Sequence, residues 1–311
     1  MSLTPSPMLH HRPWRFTSLL WVFLLLGFSM GARTAHAATY YLTNLAGHPA
    51  SCNPNPGDVY DWFDARNWST TPNPNPDACP SAGPPGAGDT SVIDSNRTVN
   101  IVGAVTVANL QISKGAINYG STVNLPGSSS STGSLTVTGS LDFAGNDIEA
   151  LTLTVPTGAT FNYHGGGFNN VIVNNFGTTN FDSPNLNNDW LGSGAFNNKP
   201  GALFNDSATV DTRLGGGFPF NNEGTFRKTS TGTLIWQAVF NNNSMVDVQG
   251  GALELDNGGT HSGTENIAAG ASLVLHNADA PYNFTPTSVI TGAGQVYPSI
   301  SNPNSPYAVR L

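Results

Sequence analysis

From Thr98 onward, apolar and polar residues alternate. Val99 and Ile101 are separated by a polar residue, as are Val105 and Val107. The alternation slips by one residue at Ala108-Asn109, then resumes at Leu110 and Ile112. Leu135/Val137, Leu141/Phe143, Leu151/Leu153/Val155 and Phe161/Tyr163 continue it, each set bounded by Gly or Asn. Period-two alternation predicts half-buried strands. A one-residue slip would turn the second pair to the opposite face of a flat strand, so the chain is expected to turn a corner there. No window after residue 37 has helical periodicity.

Phrases recur as well as faces. An aromatic residue followed by two asparagines appears at Phe168, Phe196, Phe220 and Phe240, with steps of 28, 24 and 20 residues. Interleaved are Gly158-Ala159-Thr160-Phe161, Gly201-Ala202-Leu203-Phe204, Gly232-Thr233-Leu234, Gly251-Ala252-Leu253 and Gly270-Ala271-Ser272-Leu273. A repeat of roughly 20 to 30 residues without helix predicts stacked rungs of a solenoid. Short strands with corners, about three per repeat, describe an all-β, right-handed parallel β-helix. Its inward residues stack as aliphatic and aromatic ladders. Asn169, Asn170, Asn197, Asn198, Asn221 and Asn222 take structural roles in this reading. Asn tolerates left-handed backbone at corners, and stacked amides hydrogen-bond from rung to rung.

The ends differ in composition. Residues 1–37 have the form of a secretory leader: basic Arg12 and Arg15, an apolar run from Leu19 to Phe28, and Ala35-His36-Ala37 as a small-residue cleavage site. Ten apolar residues fall short of the roughly 20 that span a bilayer. Residues 38–96 form a Pro-rich opening module, suited to cap the first rung of a β-helix over 97–296, with Trp62 and Trp68 packing it. Residues 297–311 read as a tail that frays. In an exported chain, Cys52 and Cys79 predict one disulfide across 26 intervening residues, worth on the order of 3 kcal/mol by chain entropy.

The leader holds three of the eleven basic residues and none of the nineteen acids. The remaining chain is therefore acidic and sparse in Lys and Arg. That argues against nucleic acid and anionic membrane surfaces, which need clustered positive charge.

The order Trp62, Asn67-Trp68-Ser69, Pro85-x-x-Gly88-Asp89-x-x-x-Ile93, then Thr98-Val99-Asn100-Ile101, resembles the start of secreted bacterial β-helix proteins. These include passenger domains of autotransporter-type adhesins. Phe220–Phe226 and Val246–Leu255 are similar to their rungs, and the likeness covers most of residues 60–296. It implies an extracellular or cell-surface structural or adhesive protein, contacting a polysaccharide, a cell-surface glycan or matrix. The chain lacks the C-terminal barrel pattern of that family, so release or non-covalent retention is expected.

Parallel β-helices also include polysaccharide lyases and glycoside hydrolases, the alternative function. Hydrolysis needs two carboxylates about 5 to 9.5 Å apart, and adjacent rungs about 4.8 Å apart can supply them. Asp182, Asp189, Asp206 and Asp211 are the candidates, with Arg213 to neutralise a uronate or act as a base. Solvated turn residues are the plainer reading of these aspartates. The 182–189 loop is rich in oxygen donors suited to a structural calcium ion. For glycan stacking the candidates are Trp190 in a lengthened rung, Trp236, Tyr163 and Phe218, although Trp236 also suits a ladder. His164 and His261 are lone imidazoles beside glycines, without a second His at metal spacing. Self-association through the solenoid ends is a third possibility.

Overall fold

The computed structural model describes residues 37–43, 59–72, 79–93, 98–113, 116–118, 133–144, 147–183, 188–191, 194–276, 280–299 and 309–310. The expected leader, Cys52 with its pairing to Cys79, and residues 184–187 of the expected calcium loop lie outside the described residues.

The chain is all-β, a parallel β-solenoid of about nine turns. Its strands stack in three walls. The first wall is an eleven-stranded sheet running from Val59–Asp61 to Gln295–Ser299. The second passes through Leu151–Val155, Ile172–Asn175, Ala195–Asn198, Phe220–Asn222, Phe240–Asn242, Gly259–His261 and Tyr282–Phe284. The third passes through Thr90–Ile93, Thr160–Tyr163, Thr178–Phe181, Leu203–Asp206, Thr225–Lys228, Met245–Val248, Thr264–Ile267 and Val289–Gly292. One strand from each wall makes a turn.

Two strands, Ala104–Ile112 and Gly133–Phe143, run unbroken from the second wall into the third. Their pairing shifts register between Val107 and Asn109, the position of the slip in the sequence. The extra residue bends the strand. Val105, Val107, Leu110 and Ile112 therefore all face inward, and all are buried.

Inward rows are continuous from turn to turn. Phe196, Phe220 and Phe240 stack with ring centroids 5.4 and 5.0 Å apart. In the third wall one inward row reads Phe143, Tyr163, Phe181, Asp206, Lys228, Val248 and Ile267. Two opposite charges interrupt an otherwise apolar ladder.

Two boundaries differ from the sequence expectation. Val59–Asp61 and Thr90–Ile93, inside the opening module, already pair in parallel with Thr98–Asn100 and Ala104–Ile112. At the other end, Gln295–Ser299 and Val309–Arg310 continue the first and second walls, where a fraying tail was expected. Open backbone edges of a parallel stack accept further strands regardless of side-chain composition. Near the first rung, Thr39–Leu42 lies parallel on Thr90–Ile93 and carries Trp68–Ser69 antiparallel on its other edge. Trp62 and Trp68 are buried with ring centroids 4.8 Å apart, and Trp68 Nε1 donates to the Trp62 carbonyl at 2.7 Å.

Candidate functional site

The outer face of the second wall carries a regular polar row. Period-two alternation turns Val173, Phe196, Phe220 and Phe240 inward and their neighbours Asn174, Asn197, Asn221 and Asn241 outward. Stacking aligns the amides. Asn197 Nδ2 donates to Asn174 Oδ1 at 3.1 Å, Asn221 to Asn197 at 2.9 Å, and Asn241 to Asn221 at 2.9 Å. The Thr260 backbone N–H then donates to Asn241 Oδ1 at 3.0 Å. In the register below, Thr154 and Thr136 continue the row.

Beside the upper end of this row is a concavity of about 450 Å³, lined by Val239, Asn241, Gly259, Thr260, Pro281 and Asn283. Gly259 contributes no side chain, at φ +148°, and a Cβ there would meet Phe240 O at 1.9 Å. The residue is forced by the backbone beneath it, and the hollow is the consequence.

An Asn amide has two N–H donors and an oxygen with two lone pairs. Each ladder contact uses one donor and one lone pair. The inner amides of the row thus keep one donor and one lone pair each outside the ladder, repeated at rung spacing. Among the described residues, no charged side chain lines the concavity. Such a surface suits neutral groups that both donate and accept, such as hydroxyls.

The aspartates expected to carry catalysis do not share one face. Asp206 ends its strand at an inward position and is fully buried. Asp182 falls one residue past the corresponding position and is exposed, with Oδ1 2.5 Å from His164 Nδ1. Asp211 is exposed at a corner, accepting from the Thr233 backbone N–H at 2.7 Å. Arg213 points outward from the first wall in Thr212–Gly216. Asp189 is in register with Gly215. Alternation separates these residues, because neighbours in sequence fall on opposite sides of a strand.

The aromatic candidates are likewise corrected. Trp236 and Tyr163 are 0% exposed and Phe218 is 1%. Trp236 lies among Phe204, Phe220, Phe226 and Phe240, at centroid distances of 5.8, 4.7, 5.7 and 5.3 Å. Tyr163 stacks with Phe143 at 5.8 Å and donates its hydroxyl to the Gly166 carbonyl. These rings fill ladders, so they offer no face to a sugar. Trp190 is in register with Phe168.

Three groupings escaped the sequence reading. His164 and Asp182 occupy the same position in successive turns, since both follow the last residue of paired strands. His164 also borders a hollow of about 270 Å³ lined by Gln111, Ser113, Asp142 and Ala144 among others. On the first wall, Glu254, Asp256 and His276 bring their ligand atoms within 4.8 Å of one another. Glu254 and Asp256 share a face at i and i+2, and Leu255 pairs with Leu275, which stacks Asp256 beneath His276. Carboxylates with one imidazole could hold a divalent transition metal. The legible signal was the 20-residue step from Asp256 to His276, equal to the local repeat.

The third grouping is the interior pair. Lys228 Nζ is 3.5 Å from Asp206 Oδ2, with side chains 0% and 1% exposed. Burial pushes the Asp206 carboxyl up from its ordinary value and the Lys228 ammonium down, each against the pull of the other's charge. The signal was opposite charges at the fourth, inward position of consecutive repeats, Leu203-Phe204-Asn205-Asp206 and Thr225-Phe226-Arg227-Lys228.

Comparison with protein-family models, with curated proteins and with solved structures finds no match to this chain.

Proposed function

We propose that this protein is an exported, cell-surface or extracellular adhesive solenoid, and that the outer second wall holds a neutral polysaccharide. The observation that carries this reading is the amide row Asn174–Asn197–Asn221–Asn241 leading into the hollow beside Val239 and Pro281. The row supplies donors and acceptors to hydroxyls at the repeat of the rungs, and the apolar edges of Val239 and Pro281 suit the carbon face of a sugar ring. A long, flat contact of this kind gains affinity by repetition, which fits adhesion better than turnover.

The test is retention of the purified chain on insoluble neutral polysaccharides, compared with an Asn221→Ala/Asn241→Ala variant of unchanged circular dichroism. Retention that falls at least tenfold in the variant supports the reading. Equal retention of both proteins, or none by either, removes it.

A second reading, polysaccharide cleavage, is favoured by the His164–Asp182 pair at the rim of the smaller hollow. Oligosaccharides released by the wild type and absent with His164→Ala would support it in place of adhesion.

A further inference from the structure

We propose that Asp206 and Lys228 form an intramolecular amide cross-link, joining two successive turns of the solenoid through their side chains. The two residues are direct register partners in the third wall. Their row is apolar on both sides, with Phe181 in the turn before and Val248 in the turn after. An ion pair is poorly housed there, because desolvating two charges costs more than their attraction commonly returns. Burial favours the uncharged form of each group, and those forms are the reactants of a condensation: a free amine and a carboxylic acid.

A third side chain completes the geometry. Lys228 Nζ donates to Ser230 Oγ at 2.6 Å, and Ser230 Oγ donates to Asp206 Oδ2 at 3.2 Å. The Ala208 backbone N–H donates to Asp206 Oδ1 at 3.1 Å. Nζ attacks the carboxyl carbon, and the Nζ–Cγ bond forms as the Cγ–Oδ2 bond breaks. A proton from Nζ passes to Ser230 Oγ while the Ser230 proton passes to the departing Oδ2, which leaves as water. The Ala208 N–H supports the negative charge that develops on Oδ1. Atoms and charge balance without an oxidant, a metal or a further reactant. Fixed positions in a water-poor interior replace the high concentrations that the same reaction needs in solution, where oriented groups reach effective molarities of about 10⁵–10⁸ M. The reaction depends only on the fold.

The test is peptide mass spectrometry of the wild-type chain after proteolysis. The expected result is a branched peptide joining the Asp206 segment to the Lys228 segment, lighter than their sum by one water, and absent from Lys228→Met. Both segments recovered only as linear peptides of full mass would overturn the proposal, and this measurement needs no variant to fold. Ser230→Ala, a half-buried corner substitution, is expected to slow formation of the branched peptide at least tenfold after refolding. An unchanged rate would remove Ser230 from the step.

Discussion

Asn198 Nδ2 donates to Asn222 Oδ1 at 2.8 Å from one turn to the next, with both side chains fully buried. The contact belongs to an interior row. Asn175 donates to Asn198 at 2.9 Å, Asn222 to Asn242 at 2.8 Å, and Asn242 to Glu265 Oε1 at 2.9 Å. Each Nδ2 also donates to a backbone carbonyl at the start of the third-wall strand of the next turn, that of Leu203, Thr225, Met245 or Thr264. The inner row joins walls two and three, while the outer row of Asn197 and Asn221 lies at the surface.

Removing one member of the inner row strands its partners. Asn222→Ala leaves the Asn198 N–H, the Asn242 oxygen and the Met245 carbonyl without their partner, each at about 1–3 kcal/mol if unsatisfied. The expected loss is about 2–5 kcal/mol, read as a lower urea midpoint. Asn221→Ala, in the outer row, is expected to cost under about 1 kcal/mol, because water replaces its partners.

Gly251 and Gly270 both have positive φ, +60° and +81°. A Cβ on Gly251 would meet Gly232 O at 2.1 Å, while none of the surroundings of Gly270 comes within 4 Å. Asn accepts left-handed backbone, so Gly270→Asn is expected to fold with little change in melting temperature. Gly251→Asn must push a neighbouring rung aside and is expected to lose about 1–3 kcal/mol or more. Equal effects at both positions would show that φ alone decides.

Glu149 is raised above its ordinary value of 4.5 by burial first and by the nearby Asp147 charge second. A carboxyl raised in the folded state stabilises below the unfolded value, and that contribution is lost as pH rises through the folded value. At neutral pH the charged form therefore costs stability. Glu149→Gln is expected to melt higher than wild type at pH 7, and the gap should close as pH falls to 4.5 and below. A gap that widens on acidification would refute this assignment.

Trp236→Ala removes the ring at the centre of four phenylalanines. The expected cost is about 3–5 kcal/mol, with a lower thermal midpoint. Polysaccharide retention by the folded fraction should be unaffected, since the indole has no exposed face. Lost retention at unchanged stability would return Trp236 to the surface-binding role that its sequence context suggested.

Much of the fold was legible because inward positions obey a local rule. Leu151, Leu153 and Val155 alternate in sequence, and they alternate in space. The corner at Ala108-Asn109 was visible as a phase slip, and Asn170 takes the left-handed backbone anticipated for a corner, at φ 56°. The candidate site was far less legible. Tyr163, Phe218 and Trp236 have the composition of a sugar-binding face, but composition does not say which side of a strand a ring occupies. Asp182 and Asp206 lie in adjacent rungs on opposite sides of the wall, because the two rungs place them one position apart.

The repeat length and the alternation of apolar residues determined that this chain stacks short strands into a solenoid. Those signals are local: each residue's side of the strand follows from its neighbours and from burial of apolar area. Which residues meet between turns was decided only by the tertiary register, since rungs of unequal length, 18 residues from Thr160 to Thr178 and 31 from Asn109 to Ser140, bring distant positions into line. His164 meets Asp182, Asp256 lies beneath His276, and Lys228 meets Asp206 for that reason. Their chemistry depends on ångström distances across the stack, and sequence spacing alone does not set those distances.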